Sequence, residues 1–203
     1  MPVSRSVVII DNYDSFTYNL YQMLQEETDA PVEVCRNDAV SLEELLAKKP
    51  LAIVLSPGPG HPGVPGDFGV CADIITHQEQ LDCPVMGVCL GHQGIAHHLG
   101  GKVTSAPEIV HGESRMIAYA LDSPLFQGLT QPFEAMRYHS LLVDAESLPA
   151  SLKITAWDVE NGLPMAIQHI ERPLYGIQFH PESVGTPQGR QILRNFLKHA
   201  KSN

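Results

Sequence analysis

Apolar residues over the first hundred positions fall into two alternating kinds of run. Ser6–Asp11, Ala52–Ser56 and Pro84–Val88 are short and nearly continuous, too short for helices, and read as strands buried on both faces. Val32–Arg36 alternates and reads as a further strand. Between them the period changes to that of a helix. Ser15 to Glu27 sets Phe16, Leu20, Met23 and Leu24 on one face. Ser41-Leu-Glu-Glu44 is a capping box, with Glu three residues after the cap, and opens a helix to about Lys49. Asp67 to about Gln78 and Gly91 to Leu99 are also helical, the second closed by Gly100-Gly101. Strands alternating with helices predict an α/β fold with a mostly parallel central sheet and flanking helices. The Pro57–Gly66 loop follows the strand at 52–56, on the sheet edge where open α/β folds bind ligands.

The second half reads differently. Arg115–Leu121, Phe133–Arg137, Leu152–Trp157, Pro164–Ile170 and Leu174–Phe179 are β-like runs without long helices between them, predicting an added antiparallel portion. Thr186 is placed to cap a terminal helix with Pro187 at its first position. With no repeat and no linker, the 203 residues read as a single domain, 1–203.

Composition narrows the function. Hydrophobic residues are 43% and charged residues 18%, ordinary globular usage. Thirteen Lys and Arg face 23 Asp and Glu, a net charge of −10 with no basic stripe, which argues against nucleic acid. The first apolar run ends at Asp11, too short for a signal peptide. The longest uncharged stretch, Cys83–Gly101, carries three histidines and several glycines and reads poorly as a membrane span. Four cysteines, 35, 71, 83 and 89, form no framework, as expected of reduced thiols in a cytoplasm. The ten histidines match no closed metal site, so no metal or cofactor is expected in this chain. No G-x-G-x-x-G follows a strand and no G-K-[ST] occurs, which removes the nucleotide-binding reading.

One segment carries chemistry. In Gly87-Val-Cys-Leu-Gly-His-Gln93 a buried strand runs into a helix through G-x-C-x-G, a nucleophile elbow with Cys89 in place of serine. Flanking glycines permit the close backbone approach of such a turn, and the helix N-terminus favours negative charge on the sulfur. The Leu90 amide is brought toward the site. A thiol nucleophile needs a base and the base needs an orienting group. His180-Pro-Glu182 supplies both, because residues two apart in extended chain share a side. The Gly58-Pro59-Gly60 loop can offer amides to an oxyanion, with Gly58 the donor paired with Leu90.

Asp11-Asn-Tyr-Asp-Ser-Phe-Thr-Tyr-Asn-Leu20, Ser56-Pro-Gly-Pro-Gly60, Gly87–Gln93, Arg137-Tyr-His-Ser-Leu141 and Gln178-Phe-His-Pro-Glu-Ser183 together resemble the class I (triad) glutamine amidotransferases. More narrowly, they resemble the small subunits of anthranilate synthase and aminodeoxychorismate synthase, in the same order from about residue 6 to 198. The resemblance implies a flavodoxin-like fold and hydrolysis of L-glutamine by Cys89, His180 and Glu182. It places Gly58, Pro59, Gly60, Leu90, Gln93, Ser140 and Leu141 at the glutamine or its oxyanion. It also implies a larger chorismate-binding partner subunit, in a heterodimer or heterotetramer, that uses Mg²⁺ and receives the ammonia, with the Asp11–Asn19 segment near the interface. Whether the acceptor product is anthranilate or aminodeoxychorismate stays open; Asp67–Cys71 and Ala106–Gly112 lean slightly to the second. Where such subunits commonly carry a basic residue after His-Gly, this chain reads His111-Gly-Glu-Ser-Arg115. Two alternatives remain: a non-catalytic regulatory relative, or another Cys-dependent hydrolase on the same elbow.

Overall fold

The computed structural model describes residues 5–106 and 112–201. A nine-stranded sheet runs through the molecule. Strands β1 (Val7–Asp11), β2 (Val32–Arg36), β3 (Ala52–Leu55) and β4 (Val85–Val88) lie in the order β2-β1-β3-β4 and are parallel. Their side chains alternate between two cores. Val7, Ile9, Ala52 and Val54 enter one, and Val8, Ile10, Ile53 and Leu55 enter the other, which is why Val7–Ile10 of β1 and the whole of β3 carry no polar position. Helices α1 (Thr17–Glu27) and α7 (Gly189–Lys201) cover the first face. Helices α2 (Leu42–Lys48), α4 (Cys71–Thr76) and α6 (Leu90–His98) cover the second.

The expected capping box forms: the Ser41 hydroxyl accepts from the Glu44 amide and the Glu44 carboxylate from the Ser41 amide. The single helix read over 67–78 is instead three short pieces, α3 (Pro65–Phe68), α4 and α5 (Gln78–Leu81). Gly69 breaks it with φ of +47°, where a side chain would run into the Asn37 carbonyl.

The second half contributes β5 (Val103–Ser105), β6 (Glu113–Tyr119), β7 (Phe133–Arg137), β8 (Leu141–Val143), β9 (Leu152–Asp158), β10 (Pro164–His169) and β11 (Leu174–Ile177). Strands β10, β9, β6 and β7 extend the sheet antiparallel, as expected. Strand β11 does not follow that expectation. It lies parallel to β4, pairing Leu174 with Val85 and Ile177 with Val88, and antiparallel to β10, so it joins the two halves. Its four buried residues are those of a central strand. The short pair β5–β8, not foreseen, forms a second sheet. No helix among the described residues is long and apolar enough to cross a membrane. Segment 107–111, including His111, lies outside the described residues.

Candidate active site

The chain turns sharply at Cys89, between β4 and α6, with φ of 53° and ψ of −100°. Side chains rarely adopt this region, and it persists because the flanking packing enforces it. A Cβ on Gly87 would stand 2.7 Å from the His92 amide nitrogen, and one on Gly91 2.5 Å from the Leu55 carbonyl oxygen. Both glycines are therefore required for α6 to start against the ends of β3 and β4. Leu90 is the first helical residue, so Cys89 stands at the positive end of the helix.

The parallel placement of β11 brings the second half of the chain to the same edge. The Cys89 amide donates to the Ile177 carbonyl at 2.8 Å, and three residues later the chain presents His180. His180 Nδ1 and Glu182 Oε1 are 2.6 Å apart, with both side chains almost wholly buried. Burial alone would lower the imidazole, but the Cys89 and Glu182 interactions outweigh it and hold His180 well above its usual value, at about 10. The other nitrogen, Nε2, makes no fully formed hydrogen bond, and Cys89 is the group that acts on it. The Thr186 hydroxyl donates to the His180 carbonyl at 2.7 Å and accepts from the Met136 amide at 3.0 Å. It was expected to cap the last helix; instead α7 begins at Gly189 and Thr186 ties the His180 turn to β7.

Cys89 and His180 line one cavity of about 350 Å³, together with Tyr13, Asp14, Phe16, Gly58, Pro59 and Tyr138 among others. Gly58 is pressed between Asn12 and Leu90, with no room for a side chain. Its loop is fixed by Asn12, whose amide donates to Ser56 Oγ and whose side-chain amide donates to the Ser56 carbonyl. Burial raises the Asp14 carboxyl above the usual range, against the Phe16 amide and His180. Gly60 turns aside with φ of +88° toward Asp67 and is not among the residues lining this cavity. Gln93 is buried, and its amide donates to the Leu141 carbonyl at 3.0 Å and to Gln178 Oε1 at 3.1 Å. Ser140 is exposed and its carbonyl accepts from the Ala106 amide.

Several residues at the site lie in the segments that carry the resemblance but had no role assigned from the sequence. Tyr13, Phe16 and Tyr138 form an aromatic rim: Phe16 stacks on Tyr138 at 5.8 Å, and both meet His180 edge-on. Phe16 was expected on the buried face of α1, but it precedes the helix and is 39% exposed. Gln178 donates to Cys89 Sγ at 3.6 Å, a contact between residues 89 apart in sequence. Arg137 and His139 are buried beside the Leu141 carbonyl: Arg137 pairs with Asp158 and donates to His139 Nε2, and His139 Nδ1 bonds that carbonyl. The unusual Glu113 is ion-paired with Arg115, which also meets Glu160.

Comparison with known proteins identifies the family. The sequence pattern described as glutamine amidotransferase class-I matches residues 8–200. Anthranilate synthase component 2 of Methanothermobacter thermautotrophicus is 48% identical over 197 residues, 95% of this chain and 98% of that protein. Aminodeoxychorismate synthase component 2 of Escherichia coli is 46% identical over 191 residues, 94% of this chain and 98% of that protein. The crystal structure of a glutamine amidotransferase from Thermotoga maritima has a TM-score of 0.80 at 15% identity, covering 98% of this chain and 99% of that one, and shares the flavodoxin-like α/β fold. The chain therefore belongs to the class I glutamine amidotransferase family.

Proposed function

We propose that the chain hydrolyses the side-chain amide of L-glutamine and passes the ammonia to a chorismate-aminating partner subunit. The observation that carries this reading is the meeting of Cys89 with His180, itself bonded to Glu182, in one cavity just beyond the ends of the neighbouring strands β4 and β11. Cys89 Sγ attacks the amide carbon while its proton passes to His180 Nε2. The amide oxygen becomes an oxyanion that the Leu90 and Gly58 backbone amides receive. Glu182 stabilises the imidazolium and fixes its ring. His180 returns the proton to the leaving nitrogen as the C–N bond breaks, giving ammonia and a thioester. Water, deprotonated by the same nitrogen, then attacks the thioester, and glutamate leaves as the sulfur takes the proton back. The Glu182 interaction that raises His180 favours the imidazolium it becomes on taking the thiol proton, the form that then protonates the leaving nitrogen.

Ammonia released into water becomes ammonium and ceases to be a nucleophile, so the product is useful only if an acceptor site lies against the cavity. Both relatives named above are component 2 of a synthase, which supports a partner that supplies that site.

The test combines the purified chain with each candidate large subunit, glutamine, chorismate and Mg²⁺, and follows glutamate, anthranilate and aminodeoxychorismate. Glutamate release stimulated by one partner, with one aminated product and loss of both in Cys89→Ala, is expected. Binding of a partner without glutamate from any pairing would overturn the reading in favour of a non-catalytic relative.

A further inference from the structure

Gln178 is fully buried and follows β11 directly. Its backbone amide donates to the Met165 carbonyl of β10 at 2.9 Å, so the sheet sets its position. Both ends of its side chain are engaged at the site: Nε2 toward Cys89 Sγ, and Oε1 accepting from Gln93. Gln93 in turn grips the Leu141 carbonyl, which His139 also holds. The sulfur is thus the end of a buried run of hydrogen bonds that starts in the antiparallel half at the Arg137–Asp158 pair. An amide used at both ends cannot rotate without stranding a buried polar group.

Cys89 Sγ has two neighbours of different kinds. His180 exchanges a proton with it, whereas a carboxamide has none to give or take at ordinary pH. We propose that Gln178 is a positioning residue for the Cys89 sulfur, whose fixed N–H aims the sulfur at the substrate cavity and stabilises the negative charge that builds on it as its proton passes to His180 and again as the thioester C–S bond breaks. The proposal rests on Cys89 being the nucleophile. No covalent bond to Gln178 forms or breaks, and through Gln93 the same side chain couples the sulfur to the Leu141 carbonyl at the start of β8.

Gln178→Glu separates the two contacts. Its carboxylate still accepts from Gln93 but turns an acceptor instead of a donor toward the sulfur. Iodoacetamide labelling of the Cys89 peptide, read by mass spectrometry, is expected to slow about tenfold at pH 7 and to recover as pH rises. Partner-stimulated kcat falls by about tenfold or more, while KM for glutamine stays within about twofold. Gln178→Met, which loses both contacts, slows labelling and also raises KM. Labelling of folded Gln178→Glu at the wild-type rate would overturn the proposal, since a merely structural residue would not alter thiol reactivity. If either variant fails to fold, the wild-type chain decides: the Gln178 side-chain amide resonance shifts on alkylation of Cys89 if the contact exists, and an unmoved resonance rejects it. Slowed labelling in Gln178→Glu, with no glutamate even from the wild type and its partners, would sink the glutaminase reading and leave the positioning role standing.

Discussion

At Cys89 the backbone holds a conformation that costs about 1–3 kcal/mol, and Gly87 and Gly91, two residues away on either side, make the turn possible by having no side chains. Gly87→Ala would drive a methyl group into the first turn of α6. We expect it to destabilise the fold by about 2–3 kcal/mol in urea titration and to lower partner-stimulated glutamate release. Gly66→Ala, where nothing lies within 4 Å, is the control and stays within about 0.5 kcal/mol. The elbow was legible in sequence because its requirement is local: glycine, any residue, nucleophile, any residue, glycine. His180 and Glu182 were legible for the same reason, two residues apart. Gln178 stood in a recognisable motif but its role was not legible, because that role depends on a contact with a residue 89 positions away, and the same holds for the rim of Tyr13, Phe16 and Tyr138.

Among the elements, the turn after β11 owes its place to Thr186, which joins the Met136 amide of β7 to the His180 carbonyl. Thr186→Val keeps the shape and removes both bonds. It is expected to cost about 1–3 kcal/mol of stability. The kcat for glutamate release should fall several-fold with KM nearly unchanged, and Thr186→Ser should restore most of it. An unchanged kcat in the valine variant would show that the turn is held by other means. The first four strands and α2 were readable from apolar runs and a capping box, since each is determined within its own segment. The break at Gly69 was hidden because helical periodicity continues across it while the Asn37 backbone blocks the path. The direction of β11 was equally hidden, because a buried four-residue run has the same pattern whether its neighbour is parallel or antiparallel.

For the molecule as a whole, acid stability follows from two interior histidines. Burial lowers His92 to about 3, and burial with the Arg137 charge lowers His139 to about 3. Below pH 6.5 the unfolded chain binds protons that the folded chain refuses, so stability falls as pH drops from 6.5 toward 3, by up to ~1.4 kcal/mol per pH unit for each histidine. His180 acts with the opposite sign: its contribution is complete below pH 6.5 and is lost as pH rises from there toward 10. Urea midpoints are therefore expected to be highest near pH 6.5–7 and lower at both pH 5 and pH 9. An equal midpoint at pH 5 and pH 7 would mean that His92 and His139 are not held neutral. Composition gave no hint of this, since burial of a particular histidine is a property of the finished packing.

The strand between the two halves also fixes when the molecule can first act. Cys89 and its elbow leave the ribosome some ninety residues before β11 does, an interval of about 5–20 s at ~5–20 residues per second. On the proposed mechanism the thiol has no base throughout that time, and the nascent chain would consume no glutamine before the segment that supplies His180 has been made. The same delay leaves one side of β4 unpaired, an open strand edge that other chains could join. Insertion of β11 closes that edge and brings up the base in a single event, so the end of aggregation risk and the start of chemistry coincide in the life of each new chain.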